Sequence, residues 1–124
     1  MKLSVIIPIY NEVKTCGPLI EKVQAVPINK QIIVVDDHST DGSEELLKKI
    51  NGIELIVHLK NLGKGSAIQS SIPHIKGDFV VLQDGDLENN PNDYEPMLNQ
   101  LENDRADVVF GSRWLGKTSS FSYH

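Results

Sequence analysis

Apolar positions along this chain come in short runs, each closed by a polar or turn-forming cluster. Residues 3–7, 31–37, 53–59, 79–82 and 106–110 are runs rich in Val, Ile and Leu, the second ending in the acids Asp36 and Asp37. Consecutive apolar positions, without the alternation of a one-sided sheet, predict strands of a parallel sheet covered on both faces. Pro8 ends the first run. Between the runs, Leu19, Ile20 and Val23, then Leu46, Leu47 and Ile50, then Tyr94, Met97, Leu98 and Leu101 recur at helical spacing. Pro18 suits a first helical turn, and Pro27 stops that helix. Ser43 or Asp41 is placed to cap the second helix, which Asn51-Gly52 ends. A third helix is expected from residue 66 toward 75, with Pro73 arguing for an early stop or kink. Strand and helix alternate throughout. The prediction is an α/β fold, one domain over residues 1–124, with a mainly parallel sheet carrying helices on both faces.

In open sheets of this kind ligands bind outside the carboxyl ends of the strands. That rule gathers the chemistry-bearing residues. Tyr10 to Glu12 follow the first strand, Asp36 and Asp37 the second, and Gln83-Asp84-Gly85-Asp86-Leu87-Glu88 the fourth. Asp-Gly is a common turn pair, and a solvated turn is one reading of the last cluster. The other is a cation site, because unpaired acids buried together are costly. Oxygen ligands without sulfur favour a hard cation, Mg²⁺ or Mn²⁺, shared with a phosphate. Gly63-Lys64-Gly65 is either a helix-starting turn or a set of amides and an ammonium near a phosphate. Arg113 either pairs a phosphate bidentately or forms a solvated ion pair.

Composition narrows the classes. A net charge of −5 argues against a nucleic-acid surface, which would carry a basic stripe. No basic cluster suggests docking to an anionic membrane. Apolar runs of about five or six residues fall far short of the roughly 20 that a membrane helix needs. Pro8, Asn11 and Glu12 interrupt the N-terminal apolar segment, so no signal peptide is read and a cytoplasmic location is expected. A single cysteine, Cys16, excludes an intrachain disulfide and a cysteine metal cluster. Neither a dinucleotide glycine fingerprint nor a P-loop occurs.

Five segments carry a family resemblance. Ser4-Val5-Ile6-Ile7-Pro8-Ile9-Tyr10-Asn11-Glu12 resembles the opening of the family 2 glycosyltransferases of the GT-A fold. Ile33-Val34-Val35-Asp36-Asp37-His38-Ser39-Thr40-Asp41-Gly42 is similar to their V-D-D-G-S-x-D signature. Asn61-Leu62-Gly63-Lys64-Gly65 resembles their N-x-G-K/R-G segment, and the Gln83 to Glu88 stretch their D-x-D region. Ala106-Asp107-Val108-Val109-Phe110-Gly111-Ser112-Arg113 is similar to the A-D-V-V-x-G-S-R strand of the dolichyl-phosphate mannose synthase-like branch.

The resemblance implies the Rossmann-like nucleotide-binding part of a GT-A domain and a UDP- or GDP-sugar donor. Pro8, Tyr10, Glu12 and Asp37 would hold the base and ribose, with Asp36 alongside. Lys64 and Arg113 would assist on the phosphate side. Asp84, Asp86 and Glu88 would carry Mg²⁺ or Mn²⁺, and Asp84 and Asp86 are the implied catalytic pair. The implied reaction is a single inverting displacement onto a polyprenyl phosphate or another glycan acceptor. A homo-oligomer stays open, as does a place at the cytoplasmic face of a membrane, reached through parts beyond this stretch. Family domains continue well past residue 124, so a truncated donor-binding portion of uncertain activity is expected. His38 stands where the signature has glycine, which predicts a differently shaped loop; Gly85 stands where the branch has alanine. Two other readings stay beside this one. The first is a non-catalytic sugar-nucleotide-binding or dimerisation fragment. The second, a phosphoacceptor receiver domain, fits less well, since its paired acids should follow the first strand.

Overall fold

The computed structural model describes residues 3–83 and 113–117, the latter as backbone. The expected helix around Tyr94 to Leu101, the run 106–110 and the acids Asp84, Asp86 and Glu88 lie outside the described residues. The elements are β1 (Leu3–Ile9), α1 (Cys16–Ala25), β2 (Lys30–Asp36), α2 (Ser43–Lys48), β3 (Glu54–Val57), α3 (Lys64–Ser71), a 3₁₀ turn (Ile72–His74), β4 (Phe79–Leu82) and β5 (Arg113–Lys117). They form a five-stranded sheet in the order β3-β2-β1-β4-β5. The first four strands are mutually parallel, and β5 runs antiparallel to β4. Arg113 therefore opens a strand that returns antiparallel to β4, in a sheet expected to be mainly parallel.

Both faces of the sheet are covered. Leu3, Val5, Ile7 and Ile9 of β1, with Ile32, Val34 and Val81, pack against Leu19, Ile20 and Val23 of α1 and Leu47 of α2. The alternate residues serve the opposite face: Ile6, Val80 and Leu82 pack with Ile68 of α3, while Ile33 and Val35 pack with Ala67. Burying each such Val, Leu or Ile contributes roughly 1.5–3 kcal/mol, which is why continuous apolar runs select the interior of a two-sided sheet.

Helix ends follow local chemistry. The expected side-chain cap of α2 is replaced by Gly42, left-handed at φ 98°. Asp41 instead turns the chain just before the helix, its Oδ1 accepting from the Ser43 amide and hydroxyl. Beyond α1, the Lys30 ammonium donates to the carbonyls of Gln24, Val26 and Ile28, which suits a cation at a helix C-terminus. Burial pushes its pKa down.

Pro8 lies inside β1, not at its end, and its place explains where the sheet opens. The Gln83 amide donates to the Ile6 carbonyl, and the Asp37 amide to that of Ile9. Successive residues of a parallel ladder face opposite neighbours, so Ile6 and Pro8 face β4 while Ile9 faces β2. Pairing with β2 continues through Pro8↔Val35 to Ile9↔Asp36, but pairing with β4 stops at Ile6↔Leu82. Pro8 has no N–H to offer the next rung. β1 and β4 thus part company at the switch point of the strand order, where open α/β sheets bind ligands.

Candidate functional site

Two loops leave the carboxyl ends of β1 and β2 and are stitched together. The Asn11 amide donates to Ser39 Oγ (2.9 Å), Glu12 N to Ser43 Oγ (3.1 Å) and Val13 N to Asp41 Oδ2 (3.1 Å). In return the Thr40 amide donates to Asn11 Oδ1 at 2.8 Å. Asn11 and His38 both take left-handed backbone, at φ 52° and 63°. His38 thus holds a backbone conformation that glycine adopts freely. Asn tolerates this region well; for His the fit is strained but allowed.

Asp36 is fully buried and supports this wall from beneath. Its two oxygens accept the Ser39 hydroxyl (2.5 Å) and amide (3.1 Å), and Ser39 in turn receives Asn11. Asp36 is thus an anchor of the loop.

Asp37, equally shielded, faces the other way along the sheet. Its Oδ1 meets His58 Nδ1 at 2.8 Å and accepts the Leu62 amide at 2.8 Å, and its Oδ2 accepts the Gly63 amide at 2.8 Å. Its backbone carbonyl also receives Asn61 Nδ2 at 3.3 Å. Burial, the largest single influence, opposes ionisation. The hydrogen bonds from His58, Leu62 and Gly63 together outweigh it and hold the carboxyl below the usual range. A carboxylate offers about four lone-pair sites, and the described partners fill three. The amide of Gly63, one of the glycines framing Lys64, is thus turned to a carboxylate of the protein itself. The loop is a clamp on Asp37 before it is a phosphate cradle.

The remaining sequence candidates among the described residues lie at or near the same strand ends. Tyr10 is 49% exposed at the mouth, with Glu12 half-buried behind it. The Glu12 side chain accepts the Thr15 hydroxyl at 3.0 Å, and its carbonyl accepts the amides that open α1. Pro8 marks the parting of β1 and β4. Lys64 is the first residue of α3, next to the amide held by Asp37. Arg113 pairs with Leu82, which places its backbone at the carboxyl end of β4. Asp84, Asp86 and Glu88 follow directly after Gln83, a fully buried residue at that same end. Among the described residues no group of three metal-ligating side chains gathers. His58 and Ser70 were not among the sequence candidates. The signal was slight: one imidazole next to the end of the run 53–59.

A sequence model of Glycosyl transferase family 2 matches residues 4–124. The dodecaprenyl-phosphate galacturonate synthase of Rhizobium johnstonii is 37% identical over 98% of this chain, which spans 38% of that protein. Among solved structures, Mycobacterium tuberculosis glucosyl-3-phosphoglycerate synthase with Mn²⁺, UDP and phosphoglyceric acid aligns with a TM-score of 0.67 and 25% identity, over 81% of this chain and 38% of that one. S. aureus TarS 1-349 in complex with UDP aligns at a TM-score of 0.75 over 86% of this chain and 34% of that one; at 24% identity it shows the shared fold. By its sequence along nearly its whole length, the chain belongs to glycosyl transferase family 2.

Proposed function

We propose that residues 1–124 form the donor-binding portion of a glycosyltransferase that moves a sugar from a nucleoside diphosphate to a polyprenyl phosphate. The observation that carries this reading is the buried, ionised Asp37 at the carboxyl end of β2, beside a wall of two cross-bonded loops at the sheet's switch point. A pre-ordered acceptor of this kind suits a ring N–H of uracil or guanine, with its remaining lone-pair site turned to the ligand. Tyr10 offers a ring at the mouth for the base to lie against, and Pro8 and Glu12 flank it. Lys64 and Arg113 are the cations on the phosphate side. The lipid acceptor is suggested by the Rhizobium relative's name, and the nucleotide by UDP in the solved neighbours.

Asp84, Asp86 and Glu88 supply only carboxylate oxygens, a donor set that fits Mg²⁺ or Mn²⁺. Bound there, the cation would neutralise charge building on the departing diphosphate. We assign Asp84 and Asp86 the catalytic place on that account. An acceptor that is already an anionic phosphate needs little help from a base. Its oxygen would attack the anomeric carbon opposite the leaving group, inverting that centre. Among the described residues no helix is long and apolar enough to cross a membrane. We assign contact with the lipid to parts of the protein beyond this stretch, at the cytoplasmic face.

Calorimetric titration of the chain with UDP- and GDP-sugars in the presence of Mn²⁺ tests the reading. One donor class should bind, and Asp86→Ala should abolish the metal-dependent part of the affinity with the fold intact. No heat from any donor, or unchanged affinity in the variant, would overturn it.

A further inference from the structure

The Asp37 carboxylate does not stand alone: it belongs to a circuit of hydrogen bonds closed through the α3 backbone, two of whose members, His58 and Ser70, lie outside the segments that carry the family resemblance. His58, 7% exposed, follows the end of β3, where its amide donates to the Asp36 carbonyl at 2.9 Å. Its imidazole bridges Asp37 Oδ1 at Nδ1 (2.8 Å) and Ser70 Oγ at Nε2 (2.8 Å). Ser70 lies on α3, whose first residues follow directly from Leu62 and Gly63, the two amides that Asp37 holds. The path runs Asp37, His58, Ser70, back along α3 to Gly63, and to Asp37 again.

Hydrogen-bond chemistry fixes the direction of the link between His58 and Asp37. An ionised carboxylate only accepts, so Nδ1 must carry a proton toward Asp37. Each member then restrains another. Without the imidazole, the Asp37 carboxylate keeps two donors among the described residues, the amides of Leu62 and Gly63. Without Ser70, the ring can turn about its side-chain bonds. These groups tie the strand ends to the α3 loop, together with the Asn61 side chain that donates to the Asp37 carbonyl.

We propose that His58 is a positioning residue of the donor site, holding the Asp37 carboxylate and, through it, the 61–64 loop in the geometry that receives the nucleotide. The role rests on the donor-site reading above and extends it from the groups that face the ligand to the group behind them. A residue tying a reading carboxylate to a neighbouring helix is the kind of support that keeps a site's geometry within a fraction of an ångström.

Three variants of the full chain separate the bonds. His58→Leu removes both. His58→Asn keeps an amide donor near the place of Nδ1 but cannot reach Ser70. Ser70→Ala leaves the imidazole and removes only its far anchor. Two readouts are taken on each: amide hydrogen exchange at Leu62 and Gly63 in the free protein, and affinity for UDP and GDP with Mn²⁺. His58→Leu should lose protection at both amides and weaken nucleotide binding about tenfold. His58→Asn should recover most of each, and Ser70→Ala should fall between. Protection at Leu62 and Gly63 unchanged in both His58→Leu and Ser70→Ala would overturn the clamp. Loss of protection with undiminished affinity would overturn its role in donor binding. Wild-type protein that binds neither nucleotide, with the amides behaving as expected, would instead sink the donor-site reading and leave the clamp as architecture.

Discussion

The sheet ends in a buried polar network at each edge of its strands, and the two are built differently. At the amino end, Ser4 Oγ donates to Gln31 Oε1 (2.7 Å) and accepts the Gly77 amide (2.8 Å). Gln31 Oε1 also accepts the Lys76 amide, while Nε2 donates to the His74 carbonyl (2.6 Å) and to Glu54 Oε2 (3.0 Å). Gln31 thereby makes all four hydrogen bonds its amide can make, from neutral groups but for Glu54. At the carboxyl end the central groups are carboxylates, and what binds them is largely loop backbone. A saturated knot of mostly neutral groups joins elements permanently. A charged acceptor held by amides keeps strength of interaction available for a ligand. The same strands close one end of the fold and equip the other.

The sharpest way to break this comparison is at the closed end. A Cβ on Gly77 would come within 2.6 Å of the Leu3 carbonyl carbon and the Ser4 amide nitrogen, and 2.8 Å of Ser4 Oγ. Backbone of a central strand cannot move aside cheaply. Gly77→Ala should therefore cost about 3 kcal/mol, the upper end for overpacking, in urea denaturation. Nucleotide affinity of the molecules that remain folded should not change. A loss below about 1 kcal/mol would show that this turn gives way more easily than its contacts imply.

Asp37→Asn tests the other end with the smallest change of shape. If the amide nitrogen takes the place of either oxygen, it faces a donor. The variant should lose about 1–3 kcal/mol of stability from the unsatisfied group and at least about tenfold in nucleotide affinity. A drop in stability with unchanged affinity would make Asp37 purely architectural, like Gln31.

Much of this was legible in the chain, and the failures have physical reasons. β4 was read to the residue, because a four-residue apolar run bounded by Gly77-Asp78 and by polar Gln83 leaves little choice. The alternation that predicted a mainly parallel, doubly covered sheet held, because covering helices are what make runs apolar on both faces. β1 was cut short at Pro8, since a missing N–H is damaging only on the side where a neighbour needs it. β3 was read as residues 53–59 but spans Glu54–Val57, and α3 begins two residues before the expected start and gives way to a 3₁₀ turn at Pro73. Partners far apart in sequence were invisible: Ser4 and Gly77 are 73 positions apart, Asp37 and His58 21. The acids after Gln83 were the plainest signal in the sequence, and they lie outside the described residues.

The contrast between the ends also has a pH signature. The folded pKa of Asp37 is depressed, so its contribution is present above the unfolded value, about 3.9 for an aspartate, and is lost as pH falls through the folded one. Ser4, Gln31 and the Gly77 amide do not titrate, and the one carboxylate of that network, Glu54, accepts from Gln31 alone among them and not from Gly77. As pH is lowered below about 4, amide protection should fail at Leu62 and Gly63 before it fails at Gly77. Simultaneous loss at all three would mean that the two networks open together and that the comparison has no energetic content.

The smallest effect concerns His38, where the sequence departs from the glycine of the resembled signature. Left-handed backbone costs a residue with a Cβ roughly 1–2 kcal/mol, which argues that glycine should be better. Glycine, however, loses more freedom on folding, by about 0.5–1 kcal/mol. The two terms oppose each other, and His38→Gly should change stability by less than about 1 kcal/mol. His38→Val keeps the first cost, which His already carries, and adds branching at Cβ, which crowds this region further. It should be less stable than both the wild type and His38→Gly, read in the same denaturation series. Equal stability of the Val and Gly variants would mean that the loop escapes the left-handed turn when it is strained. The bonds from Asn11 and Glu12 to Ser39 and Ser43 would then not be enough to hold the wall, and the carboxyl end would be ordered by its ligand, whereas the amino end is ordered by the fold itself.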